Sequence, residues 1–312
     1  MFDTHAVYPL LLKPAVKDYL WGGNRLPERF GVQSDYDVTA EAWVLSTHKN
    51  GHSTVQNGSF AGKTLQEALA AWGQTAPDIL VKLIDARDRL SLQVHPDDAY
   101  AQKHHQSPGK TEMWYVLDAE PGAELICGFE REMTTEEFAA HIQNGTADKA
   151  VAHYPVGAGD VFFIPAGTVH AIGAGILVAE VQQNSDLTYR VWDWGRVGTD
   201  GKPRELHVDR ALDVSVTKPY TVPCGQVGEV KAIKGGRLRT LAECPAFSTW
   251  ELTLQGKAEI PADIRCILCI AGNATLCAKD CEDIPMQAGS CVYIPETLQT
   301  SIAGDAKVLW IK

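Results

Sequence analysis

Four residues of this chain have the types and the spacing of a metal site. Gln93 and His95 stand two apart in LSLQVHPDD, Glu112 opens the apolar run of GKTEMWYVLD, and His170 closes PAGTVH. If residues 90–95 are extended, the period of two sets Gln93 and His95 on one face. Two imidazoles, a carboxylate and a neutral amide suit a divalent cation. That donor set favours zinc and leaves iron and manganese as alternatives. An open position among such ligands makes an ion catalytic rather than structural. Lys110, two residues before Glu112, faces the same way as that carboxylate on an extended chain.

An internal repeat bears on the site. Residues 159–172, GDVFFIPAGTVHAI, and residues 289–302, GSCVYIPETLQTSI, share one pattern of Gly, five residues and Pro through a strand-like run. Gly167 and His170 of the first copy correspond to Thr297 and Thr300 of the second. Copies that differ at the metal-capable position predict one working site and one structural copy. Other features read as structure. His48 and His52 flank an Asn50–Gly51 turn and are expected to be exposed. Asp97 reads as a helix cap. Cys266, Cys269, Cys277 and Cys281 have the spacing of a four-thiolate site, but the odd offset of the first two within a strand points them to opposite faces.

The elements that must position these residues are mainly strands. Leu125–Ile126–Cys127, Val161–Phe162–Phe163–Ile164, Ile176–Leu177–Val178–Ala179 and Cys266–Ile267–Leu268–Cys269–Ile270 are short β-prone runs, most of them near Gly, Pro, Asn or Asp. Their close spacing predicts a mostly β sandwich or barrel. Helical signals are few. Thr64 with Glu67 and Thr134 with Glu137 are capping boxes, and residues 97–105 follow Pro96. The polar, Pro-containing stretch over about 200–225 marks a boundary.

Composition narrows the function classes. The 312 residues suffice for one large or two ordinary domains, and 45% hydrophobic with 21% charged residues indicates a globular chain. A net charge of −11 argues against nucleic acid or an anionic membrane as partner, while a few local cations still allow a small phosphorylated ligand. No apolar run approaches the roughly 20 residues of a membrane span. The first 16 residues do not read as a signal peptide, and eight scattered cysteines do not read as a secreted disulfide framework, so a cytoplasmic protein is expected.

LSLQVHPDD, GKTEMWYVLD, PAGTVHAIG and NSDLTYRVWDWGR together resemble the type I mannose-6-phosphate isomerases in their short bacterial form, a family of the cupin superfamily. LLKPAVKDYLWGGNRL and EAWVLSTHKNG resemble its N-terminal segments, so the likeness spans most of residues 8–215 and beyond that rests on the cupin turn pattern. The resemblance implies a zinc-dependent enzyme that interconverts mannose 6-phosphate and fructose 6-phosphate by enediol proton transfer between C1 and C2. It implies two cupin barrels (double-stranded β-helix, or jelly-roll) with a few helical insertions in the N-terminal part. The catalytic domain would span 1–215, and a cupin-like domain without metal ligands would span 216–312.

By the same resemblance one Zn2+ per chain falls on Gln93, His95, Glu112 and His170. Arg190 matches the catalytic arginine; a guanidinium is a poor base, so it would hold charge or orient the sugar. Its competing reading is a salt bridge to Asp186 or Asp193. Lys110 and Glu180 fall in the pocket and remain alternative bases. Ser91 and Lys82 match the phosphate end of the substrate site. A generic cupin has His-x-His where this chain has Gln93-x-His95, a departure the isomerase family shares, and Asn where Ala174 stands. The implied partner is a small phosphorylated sugar, with no nucleic acid or membrane, on a monomer or weak homo-oligomer. Two readings compete: a non-catalytic metal- or sugar-binding cupin, and another cupin isomerase or epimerase acting on phosphosugars. Acid and base groups beside a complete ligand set disfavour the former, and NSDLTYRVWD disfavours the latter.

Overall fold

The computed structural model describes residues 6–198 and 201–312; the first five residues, part of the N-terminal stretch read above, and residues 199 and 200 lie outside the described residues. The fold is mostly β, as the short β-prone runs predict, and its strands pair antiparallel.

A six-stranded sheet runs in the order β10 (Val161–Ile164), β7 (Glu112–Ala119), β12 (Ile176–Gln183), β5 (Ile79–Ala86), β3 (Glu41–Leu45), β2 (Ala15–Lys17). A five-stranded sheet runs β13 (Tyr189–Trp192), β6 (Leu92–Val94), β11 (His170–Ile172), β8 (Glu124–Phe129), β9 (Val151–Pro155). The third sheet runs β14 (Val230–Ile233), β15 (Gly236–Glu243), β16 (Ser248–Ile260), β20 (Thr300–Ile311), β17 (Cys266–Ala278), β19 (Cys291–Tyr293), β1 (Leu10–Lys13), β4 (Thr54–Val55), with β18 (Ile284–Gln287) also on β17. The N-terminal β1 is thus a strand of the sheet built mainly by residues after 230, paired Leu11 to Val292.

The six-stranded sheet is covered on both faces, which explains why every residue of ILVKLIDA in β5 is buried. Val81 and Leu83 of β5, Met113 and Tyr115 of β7, and Ala179 and Val181 of β12 enter the core shared with the third sheet. Their neighbours Ile84, Trp114, Val116 and Val178 face the five-stranded sheet instead. Even-numbered positions of these three strands therefore look into the space between the first two sheets, and polar residues at those positions are the ones that can build a site there.

The expected helices form where the caps stand. Leu65–Ala71 has a complete capping box between Thr64 and Glu67. Thr134 accepts from the Glu137 N–H at the start of Thr135–Gln143, and Asp97 from the Tyr100 N–H at the start of Asp98–His105. His48 and His52 differ from expectation: both are half-buried, and the His48 ring packs edge-on against Trp43 with centroids 5.8 Å apart. The turn that carries them is folded back on β3 rather than projecting into solvent. Cys266 and Cys269 enter different core clusters, as their odd spacing predicts.

The two copies of the repeat share a backbone device. Gly159 has φ 91° and Gly289 has φ 92°, each just before its strand, β10 or β19. A side chain in that left-handed region costs about 1–2 kcal/mol. At Gly289 a Cβ would also lie 2.4 Å from the Phe30 carbonyl oxygen, whereas at Gly159 the nearest atom is the movable end of Gln226 at 3.1 Å. Gly289→Ala should therefore destabilise more than Gly159→Ala, which should cost about 1–2 kcal/mol. Urea unfolding of the two variants checks the order, and equal losses would contradict it.

Candidate metal centre and active site

The site is assembled from two cross-strand rows that face each other. On the five-stranded sheet, Gln93 is the register partner of both Arg190 and His170. The residues beside them, Leu92, Val94, Val191 and Ala171, pack the outer core, so strand alternation turns Arg190, Gln93 and His170 inward. On the six-stranded sheet, Lys82 pairs with Trp43 and with Glu180, and Glu180 pairs with Trp114. Glu112 lies two residues from Trp114 on the same face of β7 and is the partner of Gln182.

His95, Glu112 and His170 meet between the rows. Their ligand atoms lie within 4.8 Å of one another, and this is the one such group found among the described residues. His95 Nε2 is 3.5 Å from Glu112 Oε2 and His170 Nε2 is 3.4 Å from Glu112 Oε1. The Gln93 amide is 3.3 Å from His170 Nε2. His95 and His170 each set Nδ1 2.8 Å from a backbone carbonyl, those of Leu187 and Thr168. A carbonyl only accepts, so both Nδ1 atoms carry the proton and both Nε2 lone pairs face the carboxylate. This outer contact is the one that fixes histidines as metal ligands. The turn between β10 and β11 ties the two imidazoles together, because the Gly167 N–H donates to the His95 carbonyl at 2.8 Å.

Electrostatics follow from burial. Glu112 and His170 are fully buried and His95 is 1% exposed. Burial followed by the Lys110 charge lowers His170 to about 3, and burial, Lys110 and His170 hold His95 well below its usual value. Both imidazoles are therefore neutral at physiological pH. Burial raises Glu112 to about 7 against the opposing pull of Lys110. Glu112 Oε1 is buried with no hydrogen-bond partner, an arrangement that costs about 1–3 kcal/mol or more for a charged group unless a cation meets it. Two inward-facing Nε2 lone pairs, an orphaned carboxylate oxygen and an adjacent amide fit a divalent ion. The imidazole–carboxylate separations of 3.4 and 3.5 Å are those of donors at about 2.0–2.1 Å from a common centre.

Each residue expected at the site can be placed. Lys110 is buried, 2.9 Å from His95 Nε2 and hydrogen-bonded to Glu112. Glu180 is buried and bound at Oε1 by Lys82 at 2.9 Å and at Oε2 by the Trp114 N–H at 3.0 Å. Burial would raise the carboxyl, but Lys82 and then Lys110 outweigh it and hold it at about 2. For Lys82, burial is likewise outweighed by Glu180 and Glu41, so its value rises. Arg190 makes no salt bridge to Asp186 or Asp193: its Nη1 donates to the Glu205 carbonyl at 2.6 Å, while Arg196 and Arg204 hold Asp193. Arg190 Nε is buried without a partner.

A cavity of about 350 Å³ reaches this centre through Gln93, Lys110 and Glu180, with Ser91, Lys82 and Arg190 in its wall. The wall also holds Glu41, Trp43 and Arg204, which the motif reading passed over. Glu41 accepts from the Trp43 N–H at 2.7 Å and lies 3.9 Å from Lys82 Nζ. Period two in EAWVL places Glu41 and Trp43 on one face, and that pattern was the available signal.

The chain matches the family model described as phosphomannose isomerase type I, catalytic domain, over residues 10–132. It is 36% identical over 312 residues to a mannose-6-phosphate isomerase of Streptococcus mutans, covering 96% of this chain and 97% of that protein. To a Bacillus subtilis mannose-6-phosphate isomerase it is 40% identical over 264 residues, 81% of each. The crystal structure of mannose 6-phosphate isomerase from Bacillus subtilis, 32% identical, superposes with a TM-score of 0.89 over 98% of this chain and 100% of that one. A phosphomannose isomerase variant from Salmonella typhimurium, at 15% identity and a TM-score of 0.78, shares the fold.

The buried Lys82–Glu180 pair makes a pH-dependent contribution of known sign. Glu180 sits at about 2 in the folded chain against an ordinary 4.5, so its stabilisation is complete above pH 4.5 and is lost as pH falls from there towards 2. Glu180→Gln removes one partner of a buried pair and should cost roughly 3–5 kcal/mol at pH 7. The gap between wild type and variant should narrow between pH 5 and pH 3 in urea unfolding. A gap independent of pH would contradict the assignment.

Proposed function

This chain belongs to the type I mannose-6-phosphate isomerases, and from that premise we propose that it converts mannose 6-phosphate to fructose 6-phosphate with a divalent metal, zinc, held by His95, Glu112 and His170 and completed by Gln93. One observation carries the reading: two neutral imidazoles, oriented by their carbonyl contacts, turn their Nε2 lone pairs towards a fully buried carboxylate with an unpartnered oxygen. When bound, the metal supplies a Lewis acid for the sugar oxygens at C1 and C2.

Aldose–ketose isomerisation moves a proton between C1 and C2 through an enediol and requires groups that give and take protons beside those carbons. Lys110 and Glu180 both border the cavity. The carboxylate of Glu180, kept ionised by Lys82 and the Trp114 N–H, can take a proton, and Lys110, whose charge faces Glu112, can give one, so in this reading the two divide the transfer. Glu180 also acts on Lys82, fixing its ammonium in the wall and keeping it charged. Arg190 faces the cavity with a free Nε, and a guanidinium held that way can bind developing oxyanion charge or the sugar hydroxyls without exchanging a proton. The phosphate end of the substrate is assigned to Ser91 and Lys82, both in the wall of the cavity, with Arg204 in the same wall.

We extend the reading to the repeat: the segment around Gly289 and Pro295 is a retained cupin turn in a C-terminal unit, roughly residues 216–312, that supports the metal-binding unit and holds no second ion. The register partners of Thr300 are Ile260 and Ala278, neither of which can ligate.

Arg190→Ala should lower kcat by roughly 10²–10³-fold, the scale for one oriented charge-stabilising donor, while metal content stays at one ion per chain. Loss of metal in that variant would reassign Arg190 to structure. Reaction in D2O should place solvent deuterium on C1 of the fructose 6-phosphate formed from mannose 6-phosphate. Product free of deuterium after many turnovers would exclude proton exchange through an enediol. Thr300→His should leave metal stoichiometry unchanged, and a rise towards two ions per chain would overturn the structural-copy reading.

A further inference from the structure

A second cavity, of about 570 Å³, lies between the third sheet and the back of β7. Its size is within the range of small-molecule sites. Its charged lining is Arg29, Arg237, Arg239 and Lys307 with the single carboxylate Glu251, an excess of positive charge in a chain of net charge −11. Strand register builds this concentration. Arg237 pairs with Thr253 and Thr253 with Lys307, while Arg239 pairs with Glu251 and Glu251 with Leu309. One face of β20 therefore runs from Ile311 and Leu309, in the core shared with the six-stranded sheet, to Lys307. The same face of β15 reaches Arg239 and Arg237. Charges at the end of an inter-sheet core are costly unless something meets them.

The cations here are not spent on protein partners to the same degree. Glu251 is buried and already accepts from Tyr115 Oη at 2.5 Å, with Arg239 and Lys307 each 3.9 Å away. Arg29 is held by Asp118 at 2.6 Å. Arg239 gives Nε and Nη1 to the carbonyls of Val227 and Gly159, but its Nη2 is buried with no partner. Arg237 and Lys307 are exposed, and Arg237 has no side-chain partner among the described residues. An arginine with an unused buried donor, flanked by two accessible cations and the Thr253 hydroxyl, has the chemistry that recognises a phosphate group.

We propose that this cavity binds a small phosphate-bearing anion, a phosphate ester or the free ion, on Arg237, Arg239 and Lys307, separately from the metal centre. The two sites share β7. Tyr115 reaches the second cavity from the face of that strand opposite Glu112 and Trp114, and its register partner on β12 is Ala179, next to Glu180. An anion that draws Arg239 and Lys307 away from Glu251 changes the charge around the Tyr115–Glu251 hydrogen bond, on the strand that carries Glu112.

The test is calorimetric titration of the intact protein with glycerol 3-phosphate and with inorganic phosphate, against the double variant Arg237→Ala/Lys307→Ala. Both substituted side chains are exposed, and an unchanged thermal midpoint confirms that the variant folds. Binding should weaken at least tenfold in the variant while its kcat and KM for mannose 6-phosphate without added anion match wild type. Either probe bound in this way supports the site; tighter glycerol 3-phosphate identifies an ester as its occupant, and tighter inorganic phosphate identifies the free ion. Equal binding to wild type and variant, no binding by wild type at millimolar concentration, or loss of binding with a parallel rise in KM would each overturn the proposal.

Discussion

Glu112 is buried completely, and one of its oxygens has no hydrogen-bond partner; the surrounding structure answers that demand. A carboxylate removed from water must be neutralised or paired. Here Lys110 takes one oxygen, and two imidazoles with inward lone pairs flank the group. Those lone pairs face inward because carbonyls of Leu187 and Thr168 hold the opposite nitrogens, so the histidines cannot answer the carboxylate as protonated partners. A divalent cation held between the imidazoles would meet the remaining negative charge. Lys82 and Glu180 form a second buried pair one step along the same face, which keeps the cavity wall charged and in place.

The third sheet matters to this site without touching it. It covers the outer face of the six-stranded sheet, so β5, β7 and β12 are buried on both sides and their inward polar residues are held on rigid elements. The repeat shows what that supporting role requires and what it dispenses with. Gly159 and Gly289 keep the same left-handed backbone, because both copies need the turn into a strand. Gly167 has no counterpart at Thr297. Its N–H donates to the His95 carbonyl and a Cβ there would meet the Val214 carbonyl oxygen at 2.9 Å, so glycine at this position belongs to the copy that joins two histidines.

Much of this was legible in the chain because the signals were local. Period two puts Gln93 opposite the outer core and Glu112 on the face of Trp114. Helix caps at Thr64, Asp97 and Thr134 act within three residues of themselves. The odd spacing of Cys266 and Cys269 sent them to different cores. What escaped depended on pairings between distant segments. Nothing local in LLLK announces that β1 joins β19, more than 270 residues away. Asp186 and Asp193 stand close to Arg190 in the chain, but Asp193 is claimed by Arg196 and Arg204, a competition visible only in three dimensions. Lys82 is paired with Glu180 across β5 and β12, a partner that nothing local to either residue announces. Glu41 and Trp43 share a face by the alternation of EAWVL, but which cavity that face meets is set by pairing with the distant β5.

On the proposed reading, His95, Glu112 and His170 hold an ion on which the isomerase activity depends. The most direct measurement is metal content per chain together with mannose 6-phosphate turnover, before and after chelation and after return of zinc, for wild type and Glu112→Gln. Wild type should carry one divalent ion per chain, lose turnover on its removal and recover it with one equivalent of zinc, and the variant should show neither ion nor turnover. Undiminished turnover in wild-type protein verified to be metal-free would contradict that reading.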